Sequence, residues 1–244
     1  MQTIKRDKDF DKSAWTDIEL SIVMPCLDEE KTVGHSIDEA KRFIKKHEIN
    51  AEIIVVDNAS TDDSKAVALS HGAKVISEGR PGYGRAIRKG LKCAIGRVII
   101  ICDCDMTYDL YHLEDIYLPL CSGDHDMMIG IRRPVQKDAA SLSHKLGVAF
   151  LSFLGRKRYH VDVKDFHCGL RGLTYKAMKR LRLRTRGMEF ATEMIAEASR
   201  RNLKIGQADV DLKKCPYKRQ SKLRTVRDGF RHLVYILFFG MNTV

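Results

Sequence analysis

The sequence predicts an α/β fold in which a mostly parallel sheet carries helices on both faces. Short apolar runs rich in valine and isoleucine, typical of strands buried on both faces, alternate with segments whose apolar residues recur at helical spacing. Strands that alternate with helices form parallel sheets through right-handed crossover connections. In addition, three of the apolar runs end in acidic side chains. The carboxyl ends of parallel strands are where such sheets bind ligands, so these acids predict a binding cleft.

The first half of the chain contains four expected strands, each with a clear stop. The first strand stops at Pro25, the second ends in Asp57, the third leads into a glycine-rich loop and the fourth ends in Asp103. In chain order the strands are expected at 20–25, 52–57, 73–77 and 98–102. The helices expected between them span 31–47, 65–70 and 85–94, and the first of them has apolar residues at helical spacing.

The second half of the chain is less regular. Its apolar runs predict strands at 127–131 and 203–212, and helical spacing predicts helices at 141–154 and 188–200. Beyond residue 212 a dense run of basic residues is followed by an apolar segment at 233–239. A basic amphipathic helical segment is therefore expected at the end of the chain.

Asp103 and Asp105 are the candidates for a metal site. Residues two apart point the same way in extended chain, so both carboxylates can reach one cation. Mg²⁺ is usually held by one or two carboxylates together with substrate phosphates. The alternative is a buried strand followed by a polar loop, because Asp-x-Asp is common when taken alone.

Two segments near the strand ends are candidates for contact with a ligand. The glycine-rich loop at 79–84 allows a close backbone approach, with Arg85 and Arg88 near a helix N-terminus that favours anions. Taken alone, this loop is equally compatible with a simple turn. Asp57 can accept hydrogen bonds from a base edge or a ribose. Its alternative role is an aspartate that ties the turn to Ser60.

Two further clusters of polar side chains lie in the second half. Residues 165–171 combine an acid with His167 and Arg171, and the rigid fork of arginine suits phosphate. A single histidine in such a cluster is more often structural than catalytic. Glu189 and Glu193 lie four positions apart on one helical face, for which the alternative is a solvated surface.

Composition narrows the class of partner. The 244 residues include 43 basic and 32 acidic side chains, for a net charge of +11, which suits phosphate substrates, nucleic acid or an anionic membrane surface. The basic run at 213–231 has few aromatic residues and no nucleic-acid recognition motif, so a membrane-surface helix fits better than a nucleic-acid site.

Neither a secretory signal nor a membrane-spanning run is expected. The seven cysteines include no Cys-x-x-Cys pair, which favours reduced thiols in a cytoplasmic protein over a zinc site.

Seven strings in this sequence, taken in order, resemble the motifs of the family 2 glycosyltransferases, and most closely those of the dolichyl-phosphate and undecaprenyl-phosphate hexose synthases. The strings are MPCLDEE (24–30), VVDNASTD (55–62), PGYGRA (81–86), DCDMTYD (103–109), DFHCGLR (165–171), GMEFATEM (187–194) and SKLRT (221–225). The likeness runs from about residue 19 to residue 239. It departs from close relatives where Cys104 replaces the usual alanine between the two aspartates, and many relatives continue into membrane helices.

The resemblance implies a GT-A fold with a Rossmann-like sheet, and inverting transfer of a hexose from a nucleotide-diphosphate sugar, by resemblance a UDP-sugar, to a polyprenyl phosphate. It implies that Asp57 binds the nucleoside, that Asp103 and Asp105 bind Mg²⁺ or Mn²⁺ and the diphosphate, and that Asp165 occupies the position proposed for the base. Phosphate groups would be held by Arg132, Arg171, Arg219 and Lys222. The remaining residues expected to line the donor site are Pro25, Leu27, Glu29, Gly84, Arg85, Arg88 and Cys104. Asp165, Asp105 and Arg171 are the expected catalytic residues.

The chain is expected to divide into a polar tail at 1–18, a GT-A domain at 19–212 and a basic membrane-proximal segment at 213–244. Within the domain, the nucleotide-binding half is expected at about 19–110 and the acceptor half at about 111–212. The expected location is cytoplasmic, peripheral on the inner face of the membrane, and a homo-oligomer is compatible with the sequence.

The main alternative function is that of a soluble transferase with a small-molecule or peptide acceptor. A nucleotidyltransferase would need a basic loop after the first strand, where this chain has Asp28 and Glu29.

Overall fold

The computed structural model describes residues 17–134, 142–217 and 225–239, which form strands and helices in alternation through most of the chain. The strands are β1 (Leu20–Cys26), β2 (Ala51–Asp57), β3 (Lys74–Ser77), β4 (Val98–Ile101), β5 (Met127–Pro134), β6 (Arg171–Thr174) and β7 (Ile205–Leu212). The helices are α1 (Val33–Lys46), α2 (Ser64–Ser70), α3 (Tyr83–Cys93), α4 (Glu114–Cys121), α5 (Leu142–Tyr159), α6 (Tyr175–Arg180), α7 (Phe190–Arg200) and α8 (Thr225–Phe238).

The strands form one seven-stranded sheet with the order β3-β2-β1-β4-β6-β5-β7. Neighbouring strands are parallel except for β6, which runs antiparallel to both β4 and β5. The expected halves of the domain therefore contribute strands to a single sheet. The predicted α/β fold with a mostly parallel sheet is confirmed.

The four strands expected in the first half are all present, each with one end shifted by a single residue. Ile22 and Ile100 are paired across β1 and β4, and both are fully buried. Burying a side chain of this size contributes about 1.5–3 kcal/mol relative to leaving it exposed. The sheet centre therefore anchors the loops that follow these strands.

Helix α3 lies directly on this sheet. A Cβ atom on Gly90 would overlap Cγ1 of Val23, so this glycine allows the helix to approach β1 closely. Close packing fixes the axis of α3 and with it the position of its first turn. The glycine-rich loop before α3 is thereby held beside the strand ends.

The second half differs from the sequence prediction in several elements. Helix α5 continues to Tyr159 rather than stopping at 154, and α4, β6 and α6 had not been expected. The four residues of β6 (RGLT) contain no apolar run, but they complete the hydrogen-bond ladder between β4 and β5. Pairing partners on both sides therefore override the weak local preference of this segment.

The basic C-terminal segment contains a helix, as expected, but one side of that helix is packed against the domain. In α8 the side chains of His232 and Ile236 are buried. Arg158 of α5 donates through Nε to the carbonyl of Ile236 at 3.3 Å. No helix within the described residues is long and apolar enough to cross a bilayer.

Candidate active site

The loops after β1, β2 and β4 meet where the strand order reverses. The chain runs outward from β1 to β3 on one side and resumes with β4 on the other side of β1, a switch point at which open sheets bind ligands. Each of the three loops contains a non-glycine residue with positive φ: Asp28 (50°), Ala59 (65°) and Met106 (62°). Such strained residues cluster at functional sites, where surrounding contacts hold them in place.

The loops after β1 and β2 are tied to each other by hydrogen bonds. The Asp28 carboxylate accepts from the backbone N–H of Thr61 at 2.7 Å, and the Asp28 N–H donates to the hydroxyl of Ser60 at 3.1 Å. The N–H of Glu29 donates to the hydroxyl of Ser64 at 2.7 Å. These contacts place the buried Glu29 at the switch point with its backbone fixed.

The third loop is tied to the first by its cysteine. The thiol of Cys104 lies 3.3 Å from the carbonyl of Pro25, which brings the segment between the two aspartates against the end of β1. Pro25 is near the end of β1, and Leu27 is half-buried in the loop that follows. The predicted donor-site residues Pro25, Leu27, Glu29 and Cys104 therefore lie together at the carboxyl ends of β1 and β4.

The two candidate metal ligands lie in the loop that follows β4. Asp105 is buried, and its Oδ1 accepts from the backbone N–H of Thr107 at 3.0 Å and from the Thr107 hydroxyl at 2.5 Å. Asp103 lies against the backbone of Gly169, where a Cβ would overlap Oδ2 of the aspartate. A side chain at position 169 would therefore displace the Asp103 carboxylate. Backbone contacts thus restrain both carboxylates.

Tyr83, which sequence reasoning missed, contacts Asp103 from the first turn of α3. Burial, followed by the charge of Asp103, raises the pKa of the Tyr83 phenol well above its usual range. The phenol therefore stays protonated, next to the charge of Asp103, and is available as a hydrogen-bond donor. The position of Tyr83 inside the glycine-rich motif indicated that it lies near a ligand. The motif could not show that Tyr83 lies next to Asp103, because Asp103 follows a different strand.

A divalent cation fits these carboxylates only if further ligands come from a substrate. Within the described ranges, no three His, Cys, Asp or Glu side chains converge on one point that could hold a metal ion. Two carboxylates completed by phosphate oxygens and water are the usual environment of Mg²⁺ at a phosphate site. The donor set therefore suits a hard cation that arrives with a diphosphate.

Asp57 shows the contact expected from its alternative role. Its Oδ1 accepts from the backbone N–H of Ser60 at 3.2 Å, so it ties the turn after β2. A carboxylate has several acceptor positions, and one such bond leaves capacity for a ligand. The proposed contact with a nucleoside remains compatible with this geometry.

The glycine-rich loop and α3 form a basic rim next to the strand ends. A Cβ on Gly84 would be 2.8 Å from the Thr185 carbonyl, and Arg88 donates to the Arg184 carbonyl at 2.8 Å. Partial desolvation and then the guanidinium groups of Arg186 and Arg80 lower the pKa of Arg85. Crowded positive charge of this kind favours a bound anion.

Arg132 and Asp165, predicted to bind phosphate and to act as the base, pair with each other. Arg132 donates through Nε and Nη2 to the two carboxylate oxygens of Asp165, at 2.6 and 2.9 Å. Burial alone would raise the pKa of Asp165, but the hydrogen bonds and charge of Arg132 hold it below its usual value. Asp165 is therefore ionised at neutral pH and is a weak base.

The predicted phosphate contact of Arg171 does not fit the structure. The side chain is 2% exposed, and its guanidinium donates to the carbonyls of Cys168 (2.8 Å), Ala191 (2.6 Å) and Phe166 (2.7 Å). Sequence spacing suggested a position at the cleft, but β6 begins at this residue and directs the side chain under α7. Arg171 thus links the loop before β6 to α7, and its expected catalytic role is replaced by a structural one.

The acidic residues of the α7 region are buried rather than solvated. Glu189 accepts from Nη2 of Arg231 at 2.6 Å, which connects this region to α8. The Glu193 carboxylate accepts from the backbone N–H groups of Arg184 and Thr185 at 2.8 and 2.9 Å. Both glutamates therefore position neighbouring segments, and the interpretation as a solvated face is wrong.

Helix α8 also brings in a histidine that the sequence did not single out. His232 lies 2.8 Å from the Thr192 hydroxyl through Nδ1, and its ring centroid is 4.4 Å from that of His167. Burial lowers the pKa of His232 to about 4, so the ring is neutral at physiological pH. The two predicted phosphate ligands Arg219 and Lys222 lie outside the described residues.

Comparison with known proteins identifies the family. Residues 21–182 match the model of glycosyl transferase family 2. The chain belongs to this family. The expectation of a glycosyltransferase enzyme is therefore confirmed at the level of the family.

Individual relatives support the assignment. The low-salt glycan biosynthesis hexosyltransferase of Haloferax volcanii is 33% identical over 221 residues, which cover 89% of this chain and 53% of that protein. The chain thus spans about half the length of that relative. An uncharacterised glycosyltransferase of Mycobacterium tuberculosis is 29% identical over 191 residues, covering 78% of this chain and 84% of that protein.

Among solved structures, glucosyl-3-phosphoglycerate synthase from Mycobacterium tuberculosis shares the fold. Its complex with Mn²⁺, UDP-glucose and phosphoglyceric acid has a TM-score of 0.73 at 20% identity, covering 91% of this chain and 80% of that chain. This likeness confirms the GT-A fold.

Proposed function

We propose that this protein transfers a hexose from a nucleotide-diphosphate sugar, most simply a UDP-sugar, to a polyprenyl phosphate at the inner face of the membrane. The observation that carries the proposal is the pair of restrained carboxylates, Asp103 and Asp105, at the switch point of the sheet. The basic rim around Arg85 adds positive charge on the side of the glycine-rich loop. Together they suit a diphosphate and a divalent cation.

These residues suggest how the nucleotide-sugar donor would be bound. Mg²⁺ or Mn²⁺, when bound, would neutralise the leaving diphosphate as a Lewis acid. Asp103 and Asp105 would hold the cation, with the protonated Tyr83 phenol close enough to Asp103 to orient it. Asp57 would receive the nucleoside at the end of β2. Because UDP-glucose and Mn²⁺ occur together in the structurally similar synthase, uridine and Mn²⁺ are the first choices for a test.

The acceptor class is inferred from the weak basicity of Asp165. A hydroxyl acceptor must lose a proton during transfer, which calls for a base whose pKa approaches the working pH. A phosphate oxygen carries little proton near neutral pH, so the Arg132–Asp165 pair need only position and balance charge. Inverting attack by an acceptor phosphate therefore fits the lowered pKa of Asp165.

Attachment to a membrane surface is inferred from the two helices that pack together, α5 and α8. Helix α5 exposes Phe150 (57%) and Phe153 (48%), and α8 exposes Phe230 (65%) and Phe238 (73%). Since the two helices pack against each other, these exposed side chains make their outer side a candidate interaction surface. Each nearby cation would contribute about 1 kcal/mol beside anionic lipid. A peripheral membrane site would bring the enzyme to a lipid acceptor.

A small soluble acceptor is the second candidate. It is favoured by the likeness to a synthase that was crystallised with phosphoglyceric acid. The two candidates differ in whether the acceptor is a lipid, while the donor site would be the same.

The test is transfer of labelled glucose from UDP-glucose to undecaprenyl phosphate or to 3-phosphoglycerate, with Mn²⁺ or with excess EDTA. Transfer to the lipid alone supports the first candidate, and transfer to phosphoglycerate alone replaces it with the second. Because the sugar is unassigned, UDP-galactose, UDP-N-acetylglucosamine and GDP-mannose are run in parallel. Failure of every donor with both acceptors would contradict the proposal.

A further inference from the structure

Asn58, directly after Asp57, uses its whole side-chain amide to hold a neighbouring loop. The side chain is 4% exposed. Its Nδ2 donates to the backbone carbonyls of Glu78 at 3.2 Å and Arg80 at 2.9 Å. Its Oδ1 accepts from the backbone N–H of Gly82 at 2.7 Å. One side chain thus binds three backbone groups of the connection between β3 and α3.

This connection leaves the sheet before it reaches the helix. The ladder between β2 and β3 ends where the N–H of Glu78 donates to the Asp57 carbonyl at 2.7 Å, and α3 begins at Tyr83. Gly82 lies between these points with a φ of +151°, and a Cβ there would overlap the Arg186 carbonyl. The loop is therefore packed between Asn58 on one side and the segment containing Arg186 on the other.

The shape of this loop determines where the first arginine of α3 lies. A Cβ built on Gly82 would be 3.2 Å from Cδ of Arg85, so the Arg85 side chain lies against Gly82. The Tyr83 phenol, one residue after Gly82, contacts Asp103. A shift of the Gly82 backbone would therefore displace side chains on both flanks of the proposed diphosphate site.

The three hydrogen bonds that Asn58 makes to the loop require an amide side chain. An asparagine side chain supplies two donor hydrogens and an acceptor oxygen, whereas an ionised aspartate of the same shape only accepts. Aspartate at position 58 would place a negative oxygen against the carbonyls of Glu78 and Arg80. Asn58→Asp thus changes two attractive contacts into repulsive ones while preserving the volume and the bond from Gly82.

We infer that Asn58 is a positioning residue for the donor: it fixes the glycine-rich loop so that Arg85 and the N-terminus of α3 face the diphosphate. Asn58 acts through the loop rather than by touching the donor itself. The inference rests on the proposed function in that the ligand is a nucleotide diphosphate. It adds a residue whose role is to couple the end of β2 to the phosphate side of the site.

The experiment measures UDP binding in the presence of Mn²⁺ by calorimetry, together with hydrogen exchange of the intact protein. Asn58→Asp is expected to weaken UDP binding at least tenfold and to speed exchange in residues 78–84 more than elsewhere. Asn50→Asp is the matched control, because Asn50 is exposed and its side chain donates to the Asp17 carbonyl at 3.1 Å, away from the loop. It is expected to leave both measurements unchanged.

A pH series separates the hydrogen-bond account from a general loss of structure. Burial raises the pKa of a carboxyl group, and the protonated carboxyl group of the Asn58→Asp variant would regain one donor hydrogen. The affinity gap between wild type and Asn58→Asp is therefore expected to narrow from pH 8 to pH 5.5. A gap that stays constant over this range would overturn the inference.

Two further outcomes keep the inference distinct from the proposed function. If the wild type binds UDP with Mn²⁺ and Asn58→Asp binds equally well with unchanged exchange at 78–84, the inference fails and the proposed function stands. If the wild type binds none of the nucleotide diphosphates UDP, GDP or ADP with Mn²⁺, the proposed function fails and the inference with it. Should Asn58→Asp not fold, Asn58→Ser takes its place, and equal UDP affinity in that folded variant would overturn the inference.

Discussion

Replacing Arg171 distinguishes a guanidinium that holds the fold from one that binds a phosphate. The buried side chain donates to three backbone carbonyls at 2.6–2.8 Å. A hydrogen bond from a charged group contributes about 1.5–3 kcal/mol. Lysine keeps the charge but cannot reproduce the fork, so Arg171→Lys should lose two of the three bonds. Taking the lower figure for each, we expect a destabilisation of about 3 kcal/mol.

The assay is urea unfolding followed by circular dichroism. With a slope of about 3 kcal/mol per molar urea, a loss of about 3 kcal/mol lowers the midpoint by about 1 M. Arg171→Met should lose all three bonds, about 4.5 kcal/mol on the same figure, which is close to the lower end of the roughly 5–15 kcal/mol stability of an ordinary domain. Arg42→Lys is the control, because the Arg42 side chain is 63% exposed. Its midpoint should not change.

The result that would refute this reasoning is a selective kinetic defect. If Arg171→Lys unfolds at the wild-type urea concentration but has a tenfold higher KM for the acceptor, the guanidinium contacts substrate. The phosphate role expected from the sequence would then be right.

Two other perturbations address α8. Burial lowers the pKa of His232 from its ordinary value of 6.5 to about 4, so the unfolded chain binds more protons as the pH falls. Stability is therefore expected to decline by about 3 kcal/mol between pH 6.5 and pH 4, and urea unfolding of His232→Asn should show a flatter dependence. For the membrane surface, Phe230→Glu with Phe238→Glu should abolish co-sedimentation with anionic vesicles at low salt. Leu69→Glu, which changes an exposed leucine on α2, should not; equal sedimentation of all three proteins would contradict the membrane proposal.

Much of the fold was predictable because the strands of the first half carry their own signal. The run before Asp103 has three consecutive buried isoleucines, and such a run has few alternatives to a central strand. The acids at the end of β2 and directly after β1 and β4 were correctly expected at one end of the sheet, since parallel strands share the direction of their ends. Element order alone was enough for these predictions.

Features that depend on distant partners were not predictable. Strand β6 owes its conformation to β4 and β5, and its first residue, Arg171, is buried by α7 rather than directed into the cleft. Asn58 and Tyr83 stood inside the matched motifs, but their partners lie about twenty residues away along the chain. A one-dimensional pattern indicates which residue types are present and leaves open which of them pair with each other.

The most direct test of the central claim is calorimetric titration of UDP into the wild type and into Asp105→Asn, with Mn²⁺ and with excess EDTA. We expect the wild type to bind UDP with Mn²⁺ and to lose most of its affinity in EDTA. Asp105→Asn should bind weakly in both buffers while unfolding at the wild-type urea concentration. The control Asp115→Asn, which changes an exposed aspartate in α4, should behave as the wild type. Equal UDP affinity of the wild type in Mn²⁺ and in EDTA, or unchanged Mn²⁺-dependent binding in Asp105→Asn, would contradict a metal-assisted donor site at the end of β4.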